Sequence, residues 1–128
     1  MIDRATIANP RTHYGNAKKA TKGFIWQRAT GAANIVFTLF LVWLVLSLVG
    51  AEDAAARIAL VRHPVVGVVL ALLFVSATIH MRIGMHDVIE DYIDKGPANT
   101  LANTVNTVVA LGVAVVAIMA IAKLVFWG

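Results

Sequence analysis

The chain has 128 residues, of which 59% are hydrophobic and only 14% are charged. Globular proteins average about 45–50% apolar and about 25% charged residues, so this composition excludes an ordinary soluble domain. The absence of cysteine excludes disulfides, thiolate nucleophiles and an iron–sulfur cluster held by this chain alone. The net charge of +4 is spread over the ends of apolar segments, so no nucleic-acid partner is expected.

Three segments, residues 29–51, 63–81 and 96–122, contain no Asp, Glu, Lys or Arg. Each is long enough to cross a bilayer, because a spanning helix needs about 20 mostly apolar residues. The sequence therefore predicts an all-α integral membrane protein with spans at about 31–49, 64–86 and 104–126. The polar segment 1–30 is too long for an ordinary signal sequence, and its Asp3 argues against a mitochondrial transit peptide, which favours a bacterial inner membrane.

Basic residues are unequally divided between the two ends of the predicted spans. Six precede span one, and Arg82 and Lys95 flank the connection between spans two and three. The opposite side has only Arg57, Arg62 and Lys123. The positive-inside rule then predicts a cytoplasmic amino terminus and a periplasmic carboxyl terminus.

Spans one and three have the features of plain membrane helices. Trp26 and Arg28 immediately precede span one, an arrangement typical of interfacial anchoring. The span itself has few polar residues, which favours a role in helix packing. A short loop, residues 50–63, leads to Pro64, which suits the first turn of span two. Span three is expected to start near Thr104 and to end in an interfacial group: Lys123, Phe126 and Trp127.

Span two carries ionisable residues, which are costly at membrane depth and usually face a protein interior, a cofactor or water. His80 is the deepest, about 24 Å along the helix from Pro64 at ~1.5 Å per residue. Gly84, Asp87 and Asp91 fall within roughly 40° of it on the same helix face. This face could line a cofactor, with Gly84 leaving room for a flat ring, or His80 could be a hydrogen-bonded structural histidine and Gly84 a close-packing residue.

Arg82 and His86 share a different face of span two. They could extend to the lipid phosphates or take part in a cofactor site. His86 is a second candidate metal ligand, although it lies nearer the interface than His80.

The pattern His80-x-x-x-Gly84-Met85 followed by Asp91-Tyr92 resembles the smaller hydrophobic membrane-anchor subunit of succinate dehydrogenase (respiratory complex II), which is of the cytochrome b556 type. The step Arg28-Ala29-Thr30 before span one also matches that family. The resemblance extends over nearly the whole chain, because the family has three spans in this order. Arg82 and His86 depart from several relatives, in which more apolar or aromatic residues are familiar.

The resemblance implies a role for individual residues. His80 would be one axial ligand of the iron of a haem b, with the second histidine supplied by a companion anchor subunit, a cytochrome b. Tyr92 would donate a hydrogen bond to ubiquinone beside Asp91, and Arg28 would lie near the haem propionates and the quinone. An iron–sulfur subunit and a flavoprotein with FAD would complete the complex.

The sequence thus predicts a membrane anchor that catalyses nothing alone and contributes to electron transfer from succinate to ubiquinone. An anchor of a fumarate reductase would have the same features. A small transporter would need an ionisable group near mid-membrane, and often a broken helix, which spans one and three do not offer. A purely structural anchor would bind no haem.

Overall fold

The computed structural model describes the backbone of residues 17–127 and the side chains of residues 21–127. Most of the polar segment 1–30 therefore lies outside the described side chains. Residues 17–127 form four α-helices, α1 Ala17–Gly50, α2 Ala54–Arg62, α3 Pro64–Tyr92 and α4 Pro97–Ala122, followed by a π-helical turn at Lys123–Trp127. Residues 17–127 contain no strand, and three of the helices are long and apolar enough to span a membrane, which confirms the all-α, three-span prediction.

The spanning helices are longer than the apolar runs that predicted them. The candidate membrane span within α1, Thr21–Gly50, has 30 residues, which corresponds to about 45 Å at 1.5 Å per residue. That length exceeds a hydrocarbon core of about 30 Å. The helix therefore continues into the interfacial region, where polar residues such as Lys22 are solvated. Helix α4 likewise begins before its predicted span: it starts at Pro97, whereas the sequence places the start of span three near Thr104.

The predicted loop between spans one and two contains a helix, α2. Its sequence is rich in alanine, which favours helix, and Asp53 caps its first turn by accepting a hydrogen bond from the Ala56 N–H at 2.8 Å. Arg57 Nε donates to the Leu48 carbonyl at 3.2 Å, at the end of α1. The next helix, α3, has Pro64 in its first turn, as the sequence predicted, and His63 as its N-cap.

Helix α3 is the central helix, packed against α1 on one side and α4 on the other. In its most apolar window 22% of the residues are buried, against 6% in each of the other two spans. The carboxyl-terminal turn packs on α3 at Gly67, where a Cβ would lie only 2.7 Å from Val125 Cγ2. Most large apolar side chains of α1 and α4 remain exposed, so these two helices offer their outer faces to lipid or to other chains.

Candidate functional site

His80 lies half-buried on α3 with its imidazole against α1. Its Nδ1 atom is 3.2 Å from the Gln27 carbonyl oxygen and 3.2 Å from Thr30 Oγ1. The ring reaches the α1 backbone because α1 has a glycine at this level: a Cβ on Gly31 would lie 3.3 Å from His80 Cε1. The deepest ionisable residue of span two is therefore held by polar groups of α1 rather than facing lipid.

The two contacts of Nδ1 determine which ring nitrogen carries the proton. The Gln27 carbonyl can only accept a hydrogen bond. Thr30 Oγ1 donates its own hydrogen to the Trp26 carbonyl at 2.7 Å, so it accepts from His80. Nδ1 is thus the protonated nitrogen of the neutral ring, an assignment that follows from the hydrogen-bond network. Nε2 keeps its lone pair, and no residue of the described part of the chain bonds to it.

The His80 contact belongs to a longer polar interface, which we call the α1–α3 seam: Gln27, Thr30, Gly31 and Asn34 on α1, and Ser76, His80 and Gly84 on α3. Ser76 Oγ donates to Asn34 Oδ1 at 2.8 Å. The α1 residues recur every three or four positions and the α3 residues every four, so each set lies on one helix face. Span one is therefore more than a plain packing helix.

Gly84 lies opposite Gln27 in the seam. A Cβ at Gly84 would be 3.2 Å from Gln27 Nε2, so the space left by this glycine accommodates the Gln27 amide. This arrangement corresponds to the close-packing interpretation of Gly84, not to an open space for a flat ring. Gln27 Oε1 is buried and makes no hydrogen bond within the described residues.

Within the described residues, neither Arg28 nor the last turn of α3 forms a hydrogen bond with His80. Arg28 is exposed, with its guanidinium 4.1 Å from the centroid of the Phe24 ring on the same helix. Asp91 and Tyr92 are in the last turn of α3, about 18 Å along the helix from His80 at 1.5 Å per residue. Both are exposed, Tyr92 to 85%. The described part of the chain thus does not bring Asp91 and Tyr92 together with His80.

A second polar interface, which was not predicted from the sequence, joins α3 to α4. His86 Nδ1 donates to Asn103 Oδ1 at 2.7 Å, and Asn103 Nδ2 donates to Glu90 Oε1 at 3.1 Å. Arg82 Nε donates to Thr107 Oγ1 at 3.2 Å. Arg82, His86, Asn103 and Thr107 border an open groove of about 440 Å³. The spacing of Asn99, Asn103 and Asn106 was the available signal, because polar residues three or four apart on a spanning helix share one face.

The two histidines of span two therefore point in different directions, His80 to α1 and His86 to α4. Residues 21–127 contain no group of three or more His, Asp or Glu side chains that could hold a metal ion. A metal bound at His80 would thus need further ligands from outside residues 21–127.

Three spanning helices with a hydrogen-bonded histidine at membrane depth define a multi-pass membrane protein with a polar interior site. Residues 3–121 match the family model described as succinate dehydrogenase/fumarate reductase transmembrane subunit. The chain belongs to this family, and it is a membrane-anchor subunit of a complex with other subunits. Comparisons with curated proteins and with solved structures found no match.

Proposed function

We propose that the chain is the smaller, cytochrome b556-type anchor of a succinate:ubiquinone oxidoreductase. In this role it supplies one axial ligand to a haem b and part of the site where ubiquinone is reduced. The observation that supports the proposal is the orientation of the His80 ring. Its Nδ1–H donates hydrogen bonds to α1 at 3.2 Å, and Nε2 remains available as a metal ligand.

The residues around His80 fit a haem ligand. Histidines that bind metals donate their other ring N–H to a carbonyl or carboxylate, which fixes the tautomer and the ring orientation. The Gln27 carbonyl and Thr30 hydroxyl supply these acceptors. A haem b held here would supply a one-electron carrier, with its second axial histidine from the companion anchor subunit. The exposed guanidinium of Arg28 is available to the propionates.

Ubiquinone reduction requires hydrogen-bond donors and a proton source at its carbonyl oxygens. We assign the donor role to the Tyr92 hydroxyl and the proton supply to Asp91. Both side chains are exposed at the end of α3, so an adjoining iron–sulfur subunit can cover them and exclude water from the quinone. The flavoprotein with FAD would deliver electrons from succinate through that subunit.

The haem assignment is tested by replacing each histidine of α3 in the complex purified with its partners. We expect His80→Leu to lose or strongly perturb the low-spin haem spectrum. The matched control, His86→Leu, should keep it, because His86 is turned towards Asn103. Loss of the spectrum in the His86 variant alone would reassign the ligand. A wild-type complex without haem would leave the chain as a structural anchor.

A further inference from the structure

Thr30 is the one described residue whose side chain forms a hydrogen bond with the His80 ring. Its side chain is 5% exposed. Its Oγ1 atom lies 2.7 Å from the Trp26 carbonyl and 3.2 Å from His80 Nδ1. Since the hydroxyl donates its hydrogen to the Trp26 carbonyl, its oxygen accepts a hydrogen bond from the imidazole N–H.

The Gln27 carbonyl completes the set of acceptors. In a helix this oxygen accepts the N–H of Gly31, which leaves its second lone pair for His80 Nδ1 at 3.2 Å. The ring is therefore held by one side-chain oxygen and one backbone oxygen, and only the first can be removed by substitution.

We infer that Thr30 is a positioning residue that sets the electron-donating strength and orientation of His80, and through them the reduction potential of the haem. The inference rests on the proposed haem ligation. An imidazole whose N–H is hydrogen-bonded is a more basic ligand, and a more basic ligand favours the oxidised iron. Removing the Thr30 oxygen should therefore raise the potential.

The experiment compares three variants of the purified complex by potentiometric titration of the haem. Thr30→Val removes the hydroxyl and nearly keeps the shape, while Thr30→Ser keeps the hydroxyl. Thr38→Val is the matched control, because Thr38 makes the same kind of bond to its own helix, to the Asn34 carbonyl at 2.7 Å, and is exposed.

We expect Thr30→Val to increase the ratio of reduced to oxidised haem at a fixed potential about threefold, which is about 30 mV at 59 mV per tenfold change. Thr30→Ser and Thr38→Val should leave the potential unchanged. An unchanged potential in Thr30→Val, or an equal shift in Thr38→Val, would overturn the inference.

A second variant tests the premise of the inference, that α1 positions the His80 ring, and it leaves Thr30 unchanged. Gly31→Ala would place a methyl group 3.3 Å from His80 Cε1, whereas Gly112→Ala meets nothing within 4 Å. Only Gly31→Ala should shift the low-spin haem resonances measured by electron paramagnetic resonance. Identical resonances in both would contradict the role of α1 in positioning the ring.

The outcome also separates this inference from the proposed function. If His80→Leu retains the haem spectrum, both fail. If His80→Leu loses it while Thr30→Val and Gly31→Ala leave potential and resonances unchanged, only the positioning role of Thr30 is wrong.

Discussion

His80 and His86 are separated by six positions on one helix, and their hydrogen-bond partners distinguish them. His80 has a carbonyl and a hydroxyl of α1 as acceptors, and His86 has an amide oxygen of α4. The sequence predicted the depth of His80, because depth follows from position along the span. It could not predict Thr30 and Gln27 as partners, since their placement depends on the rotation of α1 about its own axis relative to α3.

Tyr92 provides the residue-scale test of the quinone site. If Tyr92 were only an interfacial anchor, its aromatic ring would suffice, and phenylalanine would replace it with little loss of ubiquinone reduction. As a hydrogen-bond donor it needs its hydroxyl. We expect Tyr92→Phe to lower succinate-dependent ubiquinone reduction about tenfold, equivalent to about 1.4 kcal/mol of transition-state stabilisation.

The control for Tyr92→Phe is measured in the same preparation. Haem content and succinate-dependent reduction of an artificial dye should be unchanged, because neither requires the phenol. Near-normal ubiquinone reduction would leave Tyr92 as an anchor and transfer the donor role to Asp91, Arg28 or a partner subunit.

Among the elements, α2 and α4 differ most from the sequence prediction. Apolar length alone identifies a span, but it does not detect a nine-residue helix such as α2, which begins after the Asp53 cap. It also misses the first turns of α4, where Asn99 and Asn103 belong to the helix although they are polar. Both side chains are hydrogen-bonded in the structure, Asn99 to the Ile93 carbonyl after α3 and Asn103 to His86 and Glu90 of α3. A window of sequence does not contain these tertiary contacts.

Asn103 connects α3 to α4 through more hydrogen bonds than any other described side chain of α4. Its amide contacts His86, Glu90 and Asn99. Hydrogen bonds between membrane helices contribute on average about 0.6 kcal/mol each, so we expect Asn103→Ala to destabilise the helix pair by about 1–2 kcal/mol. Thermal unfolding of the purified complex measures the loss.

Thr104→Val is the control on the same helix. Thr104 Oγ1 donates to the Thr100 carbonyl of α4 at 2.8 Å, so its loss removes no bond to α3. Equal destabilisation in the two variants would indicate that the hydrogen bonds of Asn103 to α3 do not contribute to the stability of the complex.

At the scale of the whole molecule, α3 is the one spanning helix within residues 17–127 that packs extensively against both of the others. The exposed apolar faces of α1 and α4 suit a chain that is completed by lipid and by other subunits of its complex. The three-span arrangement could be predicted from the sequence because each span is a separate apolar block. The α1–α3 seam could not, because its residues are too sparsely polar to distinguish them from ordinary span residues.

The orientation that the charge asymmetry predicts is tested with single cysteines, since the chain has none of its own. Ala55 on α2 and Ala98 at the start of α4 are exposed and lie in opposite connections, whereas the neighbouring Asn99 is buried and unsuitable. With eight basic residues on the amino-terminal side, as counted from the sequence, Ala98→Cys should be cytoplasmic and Ala55→Cys periplasmic. An impermeant thiol reagent added to spheroplasts should therefore label only Ala55→Cys, and denaturing detergent should make both reactive. Labelling of Ala98→Cys before detergent, with Ala55→Cys protected, would reverse the orientation and place Asp91 and Tyr92 on the periplasmic side, away from any cytoplasmic electron donor.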